Sequence, residues 1–260
     1  MGLVKKMVEG HLMYLDPKDG GISSTLASKG ERELCFMYLL RTEASGVALD
    51  CGANIGYCTL SLARYCDRVL AFEPDKRSYK LLSMNMEGKD NCTLSRAAIS
   101  DHVGVIGFKK DKRPNLSRVT NNGKNLVECV TIDSLNEPIT FIKLDVEGAE
   151  VSVLKGAKET LTNAKKMKIL IEVHPQYYNE SNDFAKVLEW LVGIGYKFSY
   201  VITAKGKDHV LGRDPYISFP KYDRKLYKEI SAEEAIPWAC EMPSDKKKVL
   251  RAIMLERNDG

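Results

Sequence analysis

Glycine, acidic and amide residues stand close together in residues 49–56, which read Leu-Asp-Cys-Gly-Ala-Asn-Ile-Gly. Glycines between a strand and a helix permit positive φ angles and let a ligand approach the backbone. The helix that follows offers unpaired N–H groups. The G-x-x-x-G spacing is neither the dinucleotide fingerprint nor the P-loop. Because Asp50 would repel a pyrophosphate, the segment favours a ligand with an ammonium group or hydroxyls.

Two further acidic positions follow predicted strands. Glu73 ends the second strand, where a carboxylate can accept hydrogen bonds from both hydroxyls of a ribose. Asp145, Glu147 and Glu150 follow a later strand, at the edge where open α/β sheets bind ligands. Stabilisation of a helix N-terminus accounts for Glu150 but poorly for Asp145.

His174 ends the next core strand and should share this edge of the sheet. A hydroxyl that attacks an electrophile must lose its proton, so we predict a catalytic base among Asp145, Glu147 and His174. The sequence does not rank these three candidates. No two of the potential ligands show the close spacing of a typical metal site, and no metal is predicted.

A parallel α/β sheet is needed to bring these side chains together, and the sequence predicts one from residue 46 onwards. Short apolar runs predict strands at 47–50, 68–73, 93–99, 141–145 and 169–173. Apolar residues at helical spacing predict helices at 56–64, 79–86, 149–161 and 184–195. Further runs predict a β-hairpin at 103–108 and 126–132 and an antiparallel pair at the sheet edge, at 198–203 and 249–255.

The chain divides into four predicted parts. Residues 1–45 are a lead-in with a helix, residues 46–203 the ligand-binding core, and residues 249–260 a final edge strand and tail. Residues 204–248 are an insertion with five aromatic residues. Two interpretations of this insertion stay open: a lid over a bound substrate, or ordinary packing of a terminal subdomain.

Composition limits the class of protein. The 260 residues are 44% hydrophobic and 28% charged with a net charge of +4, which is typical of a globular protein. No apolar run approaches the ~20 residues that span a bilayer, and the N-terminus does not resemble a secretory signal. Seven scattered cysteines without a C-x-x-C pair argue against a disulfide framework or structural zinc. We therefore predict a cytoplasmic protein without a membrane partner.

Four segments, in order, resemble the FkbM family of S-adenosylmethionine-dependent methyltransferases: residues 50–57, 71–74, 96–101 and 142–150. Upstream, Asp16, Ile22, Ser23, Gly30 and Glu33 are similar to the lead-in of that family. The resemblance implies an α/β, Rossmann-like class I methyltransferase fold. Such a fold has a seven-stranded, mostly parallel sheet with helices on both faces and an antiparallel last strand. The expected cofactor is S-adenosylmethionine, and residues 46–203 would bind it.

The resemblance also implies roles for individual residues. Asp50, Gly52, Asn54 and Gly56 would hold the methionine part of the cofactor and the adjoining ribose. The full set of implied cofactor-binding residues is Glu33, Asp50, Gly52, Ala53, Asn54, Gly56, Tyr57, Glu73, Pro74, Ala97 and Asp145. Asp145 would lie by the reacting end. Arg96 departs from the family, which often has a polar Asn or Asp there.

The favoured function is methyl transfer to a hydroxyl of a sugar, glycan or other small molecule. One alternative is an RNA ribose 2′-O-methyltransferase, since Lys143, Asp145 and Glu172 lie near the predicted site and basic clusters occur at 165–168 and 246–248. A non-catalytic module that only binds S-adenosylmethionine is the other alternative. Nucleic acid is thus a partner that the sequence allows but does not favour. The sequence gives no oligomeric state.

Overall fold

The structure is a computed structural model that describes residues 2–120, 123–203, 213–222, 224–240 and 250–259. The N-terminal part holds an antiparallel hairpin and two helices: β1 (Val4–Val8), β2 (His11–Leu15), α1 (Ile22–Lys29) and α2 (Leu34–Glu43). The other helices are α3 (Tyr57–Tyr65), α4 (Lys76–Asn85), α5 (Glu150–Lys155), α6 (Lys158–Asn163), α7 (Phe184–Gly193) and α8 (Ala232–Cys240). Short 3₁₀ helices lie at Pro114–Leu116, Asp133–Leu135, Pro175–Tyr177 and Pro220–Tyr222.

The main sheet is mixed and contains nine strands among the described residues. They are β3 (Val47–Cys51), β4 (Arg68–Phe72), β5 (Cys92–Ser95), β10 (Ile139–Leu144), β11 (Lys166–Glu172), β12 (Lys197–Thr203), β13 (Ile217–Phe219), β14 (Arg224–Lys228) and β15 (Leu250–Asn258). Their order is β13-β14-β12-β15-β11-β10-β3-β4-β5. Apolar cores cover both faces of this sheet. The predicted α/β class is confirmed.

A second, smaller sheet lies beside the main one. Its strands are β6 (Ala98–Ile99), β7 (Gly104–Lys109), β8 (Arg118–Val119) and β9 (Asn125–Val130). The predicted hairpin is confirmed, because β7 and β9 pair antiparallel. The predicted single strand at 93–99 is wrong: it divides into β5 of the main sheet and β6 of the second sheet.

The placement and number of the last strands need correction. β15 is antiparallel, as predicted, but it lies between β11 and β12 rather than at the edge. Ala252, Ile253, Met254 and Leu255 are all fully buried, and a continuous apolar run of this kind is typical of a strand covered on both faces. The sheet has nine strands rather than seven because β13 and β14, from the predicted insertion, extend it beyond β12.

The predicted helix at 149–161 is interrupted at Gly156, between α5 and α6. A Cβ atom at this position would lie 2.0 Å from the carbonyl oxygen of Ser100, so only glycine lets the two backbones approach. The break places the end of α5 against the backbone that follows β6 of the second sheet.

In the part of the chain that the structure describes, no helix has the length and apolar character required to cross a membrane.

Candidate active site

A cavity of about 560 Å³ opens at the carboxyl ends of β3, β4, β10 and β11. Most of the residues predicted for the site line it: Gly52, Asn54, Glu73, Pro74, Ala97, Asp145, Glu147 and His174. The others do not: Glu33, Asp50, Ala53, Gly56 and Tyr57. The second sheet and the loop before β8 form the wall that faces these strand ends, through Phe108, Leu116 and Arg118.

The glycine-rich loop after β3 is fixed by close backbone contacts. Gly52 has a φ of 78°, and a Cβ atom there would lie 2.0 Å from the carbonyl oxygen of Asp145. The N–H groups of Gly52 and Ala53 both donate to the carbonyl oxygen of Phe72, at 3.0 and 2.9 Å. Asn54 also has a positive φ, 51°. The loop therefore presents its backbone to the cavity in a conformation that a side chain at residue 52 would prevent.

Glu73 links this loop to the end of β4. Its Oε2 accepts a hydrogen bond from the backbone N–H of Asn54 (2.8 Å), and its Oε1 accepts one from Asp75 (2.7 Å). Burial raises the pKa of Glu73 to about 7, and these two N–H groups only partly oppose that rise. Each carboxylate oxygen retains a second lone pair, so the side chain can still accept bonds from hydroxyls of a ligand.

Asp50 lies beneath the loop instead of in the cavity. It is fully buried, with Oδ1 2.9 Å from Nζ of Lys143 and Oδ2 accepting a hydrogen bond from Thr59 (2.7 Å). Lys143 also donates to the carbonyl oxygen of Gly52 (2.8 Å). Burial alone would lower the pKa of Lys143, but the charges of Asp50 and Asp145 raise it above its usual range. Asp50 thus fixes the position of Lys143 by an ion pair, and Lys143 fixes the glycine-rich loop by its hydrogen bond to Gly52.

Two more of the predicted residues, Tyr57 and Glu33, lie outside the cavity lining and bond to neighbouring side chains. The Tyr57 hydroxyl donates to Glu9 at 2.9 Å. Glu33 accepts charged hydrogen bonds from Arg32 and Arg251, both of which line the cavity. Burial would raise the pKa of Glu33, but the two arginines lower it to about 2.

His174 is the centre of an acidic cluster. Its Nδ1 lies 2.7 Å from Oε1 of Glu150, which is fully buried at the start of α5. Its Nε2 lies 3.3 Å from Glu172, 3.5 Å from Glu147 and 4.0 Å from Asp145. None of these makes a hydrogen bond with Nε2 within the described residues. Burial would lower the pKa of His174, but the hydrogen bond and charge of Glu150, with the other carboxylates, raise it above its usual value.

Several residues at this end were not predicted from the sequence. Glu150 was expected to stabilise the N-terminus of a helix, whereas its side chain forms a hydrogen bond with His174. Arg118 and Tyr177 line the cavity together: the guanidinium lies 4.4 Å from the ring centroid and donates to the hydroxyl (3.0 Å). Arg251 pairs with Glu172 from β15. The only sequence signal for these residues was the polar stretch at 109–124, between the two strands of the predicted hairpin, which contains Arg118.

The geometry weakens the RNA alternative. Lys143 is 2% exposed and enclosed by Asp50 and the glycine-rich loop, so it does not reach a ligand in the cavity. In the basic cluster at 165–168, Lys168 pairs with Glu43 at 2.6 Å. The cluster at 246–248 lies outside the described residues.

Comparison with known families supports the resemblance seen in the sequence. Residues 50–198 match the model of the methyltransferase FkbM domain, which is more than half of the chain. The chain therefore belongs to the FkbM methyltransferase family. It is a methyltransferase, and its cofactor is S-adenosylmethionine. The cavity fits this cofactor, since the Gly52 backbone and the Glu73 carboxylate face the same space.

Among characterised proteins, the chain is similar to the hexuronic acid methyltransferase AglP of Haloferax volcanii. The two are 27% identical over 197 residues, which are 71% of this chain and 77% of that protein. Among solved structures, it is similar to M. jannaschii TYW2 in complex with AdoMet (14% identity, TM-score 0.45, 98% of this chain and 84% of that chain). It is also similar to an rRNA methylase from Streptococcus thermophilus (15% identity, TM-score 0.41, 88% and 98%).

Proposed function

We propose that this protein transfers a methyl group from S-adenosylmethionine to a hydroxyl oxygen of a sugar, a glycan or a similar small molecule. The observation that carries the proposal is the junction of the glycine-rich loop with the cluster of Asp145, Glu147 and His174 in one cavity. The relative named as a hexuronic acid methyltransferase supports a sugar as the acceptor.

The loop end of the cavity would hold the cofactor. Glu73 would accept hydrogen bonds from the ribose hydroxyls, because its two oxygens are already oriented by backbone N–H groups. Gly52 and Asn54 would lie against the methionine part, where the positive φ angles bring the backbone close to a ligand. Pro74 and Ala97 would border the adenine.

The acidic cluster would prepare the acceptor. When bound, the cofactor would supply a methyl group on a sulfonium. The acceptor oxygen would take up that methyl group, the electron pair of the broken carbon–sulfur bond would stay on sulfur, and the hydroxyl proton would pass to Asp145 or Glu147. Asp145 and Glu147 would accept the hydroxyl hydrogen bond and favour loss of that proton. His174, held by its hydrogen bond to Glu150, would lie next to both carboxylates, with Nε2 3.5 Å from Glu147 and 4.0 Å from Asp145.

Arg118 and Tyr177 would receive the body of the acceptor. The Tyr177 ring packs so tightly over Gly148 that a Cβ atom there would lie 2.5 Å from the ring. An aromatic face beside an arginine suits a sugar, whose C–H face packs on the ring while its oxygens accept from the guanidinium.

A second part of the proposal is that the predicted insertion at 204–248, of which the structure describes residues 213–222 and 224–240, covers the bound acceptor. Within this segment Arg224, on β14, lines the cavity. Tyr216 and Trp238 are exposed. Limited proteolysis of the segment should slow when cofactor and acceptor are added together; identical cleavage would exclude a closing cover.

The chemistry of the product tests the proposed function. Protein is incubated with methyl-labelled S-adenosylmethionine and a panel of neutral sugars, uronic acids and their oligomers. We expect S-adenosylhomocysteine together with a methyl ether that resists mild alkali. Label that alkali releases would show a methyl ester instead, and label on nitrogen or carbon would equally contradict hydroxyl transfer.

A matched pair of variants then tests the acceptor end. His174→Gln should lower turnover about 100-fold or more while the Kd for S-adenosylmethionine changes less than about threefold, since the cluster acts on the acceptor. His102→Gln is the control, because His102 also pairs with a carboxylate, Asp101, but on the exposed surface. Equal turnover in both variants would remove the cluster from the reaction.

A further inference from the structure

Three potential metal ligands converge at the acceptor end of the cavity. Asp145 and Glu147 follow β10, and His174 follows the neighbouring strand, β11. One ligand atom from each lies within 4.8 Å of the other two. Ligands bound at about 2.0–2.2 Å from one ion are at most about 4.4 Å apart. The distances from His174 Nε2, 3.5 Å to Glu147 and 4.0 Å to Asp145, already satisfy this limit.

The hydrogen bonds of His174 leave the correct nitrogen available. Nδ1 lies 2.7 Å from the buried Glu150 carboxylate, so in the neutral ring the proton lies on Nδ1. An ion that displaces any proton from Nε2 would then meet the lone pair of that nitrogen. His174 is 1% exposed, and its Nε2 has no hydrogen-bond partner within the described residues. A buried polar atom without a partner is costly, and a ligand in the cavity would satisfy it. Metal-binding histidines have this same carboxylate support on the far nitrogen.

The charges around the cluster also favour a cation. Four carboxylates surround His174, those of Asp145, Glu147, Glu150 and Glu172. A divalent ion beside Asp145 and Glu147 would place positive charge among these carboxylates, at the position that Nε2 of His174 faces.

We propose that Asp145, Glu147 and His174 bind one divalent cation. Two carboxylates and one imidazole suit Mn²⁺ better than Mg²⁺, because imidazole binds the softer ion more readily. Three protein ligands leave coordination positions open for oxygens of the acceptor. The ion would orient these oxygens and make a bound hydroxyl more acidic. This role rests on the proposed function, whereas binding of the ion does not.

The site was not predicted from the sequence, where no metal was expected. Glu147 is two residues from Asp145, but His174 is on another strand and the set has no local signature. Only the pairing of β10 with β11 brings the three side chains together.

The first experiment measures binding without any acceptor. Protein freed of metal with a chelator is titrated with Mn²⁺, with and without S-adenosylhomocysteine. Calorimetry reports the stoichiometry, and electron paramagnetic resonance reports the loss of free aqueous Mn²⁺. We expect one saturable ion per chain, and at least tenfold weaker binding in Glu147→Gln. The control is Glu180→Gln, since Glu180 is an exposed glutamate outside the cavity. Absence of saturable binding in the wild type, or equal affinity in both variants, would overturn the site.

A second pair of variants covers the buried ligand. His174→Gln should lose the ion, and His102→Gln should retain it, with circular dichroism showing that both are folded. If His174→Gln is unfolded, the result with Glu147→Gln decides. Equal Mn²⁺ affinity in a folded His174→Gln would overturn the assignment.

The same samples separate the two proposals. Methyl transfer to a hydroxyl that continues unchanged with chelator present would overturn the role of the ion and leave the proposed function intact. Stoichiometric Mn²⁺ binding without any methyl transfer to the sugar panel would overturn the proposed function and leave the metal site intact.

Discussion

The two ends of the cavity differ in the groups that line them: backbone groups at one end and side chains at the other. At the end proposed for the cofactor, one stretch of chain after β3 provides backbone groups, and Glu73, after the next strand, accepts a hydrogen bond from one of them. At the end proposed for the acceptor, the surface consists of charged and aromatic side chains from β8, the loop after β10, the end of β11 and β15. The first end is constructed locally, and the second exists only when distant segments meet.

Because of this difference, we expect substitutions at the two ends to have different effects. A loop fixed by glycine geometry and a buried ion pair should respond to substitution with a loss of stability or of cofactor binding. Side chains around the acceptor should respond with changes in turnover or in the KM for the acceptor. Four predictions test this division, from the largest expected effect to the smallest.

Removing the cation beneath the loop should have the largest effect. Lys143→Met leaves Asp50 buried without its counter-ion, which should lower the free energy of unfolding by about 3–5 kcal/mol. Urea denaturation measures this change. The double variant Lys143→Met/Asp50→Asn should recover much of the loss, because no uncompensated charge remains. A double variant as unstable as the single one would show that the ion pair does not support the loop.

Adding one methyl group to the loop should chiefly affect the cofactor. In Gly52→Ala the new Cβ atom collides with the carbonyl oxygen of Asp145, and we expect the Kd for S-adenosylmethionine to rise roughly 100-fold, or about 2.7 kcal/mol. Gly88→Ala is the matched control: its φ, 76°, is nearly the same as the 78° of Gly52, but a Cβ atom there meets nothing within 4 Å. It should cost about 1 kcal/mol of stability and leave the Kd unchanged. Equal increases of the Kd in Gly52→Ala and Gly88→Ala would mean that backbone strain, and not the collision with Asp145, causes the loss of cofactor binding.

Cofactor binding should depend on pH through Glu73. Burial raises the pKa of this carboxyl to about 7, so it is mostly ionised above pH 7 and mostly protonated below. Only the ionised form can accept hydrogen bonds from both ribose hydroxyls. The Kd for S-adenosylmethionine should therefore be about tenfold higher at pH 6 than at pH 8. Glu73→Gln should bind more weakly at pH 8, with little pH dependence. An unchanged pH profile in this variant would assign the titration to another group.

The smallest effect should come from the acceptor wall. Arg118→Lys retains the charge but loses the planar group that lies over Tyr177, and the KM for the acceptor should rise roughly three- to tenfold. The Kd for S-adenosylmethionine should not change. Arg64→Lys, which alters an exposed arginine over Tyr65, serves as the control. A higher Kd for S-adenosylmethionine in Arg118→Lys would show that Arg118 also contributes to cofactor binding, against the proposed division of the cavity.

The sequence indicated part of the proposed cofactor end because that information is local. Gly52, Asn54 and Glu73 lie in short segments whose spacing reflects backbone geometry, and they line the cavity, whereas Gly56 from the same motif does not. The acceptor end was predicted only through Asp145, Glu147 and His174. Glu150, Arg118 and Tyr177 became visible only with the tertiary structure, since single charged or aromatic residues carry no periodic signal.

The topology followed the same rule. Short apolar runs predicted most strands, but they did not reveal that β15 would be an interior strand, because the neighbours of a strand depend on the whole sheet. Its four consecutive buried residues, Ala252 to Leu255, were the available clue. The division of 149–161 depended on a contact between Gly156 and Ser100 that no sequence pattern indicates.

The interior position of β15 has a consequence for biosynthesis. β11 and β12 leave the ribosome well before β15, yet each must pair with β15 to complete its hydrogen bonds. Such non-local pairing forms late, so β12 to β14 should join the sheet only after β15 has been made. Arg251 arrives with that strand and reaches Glu33 and Glu172 in the same step. A nascent chain should therefore become active in methyl transfer only after β15 has inserted between β11 and β12.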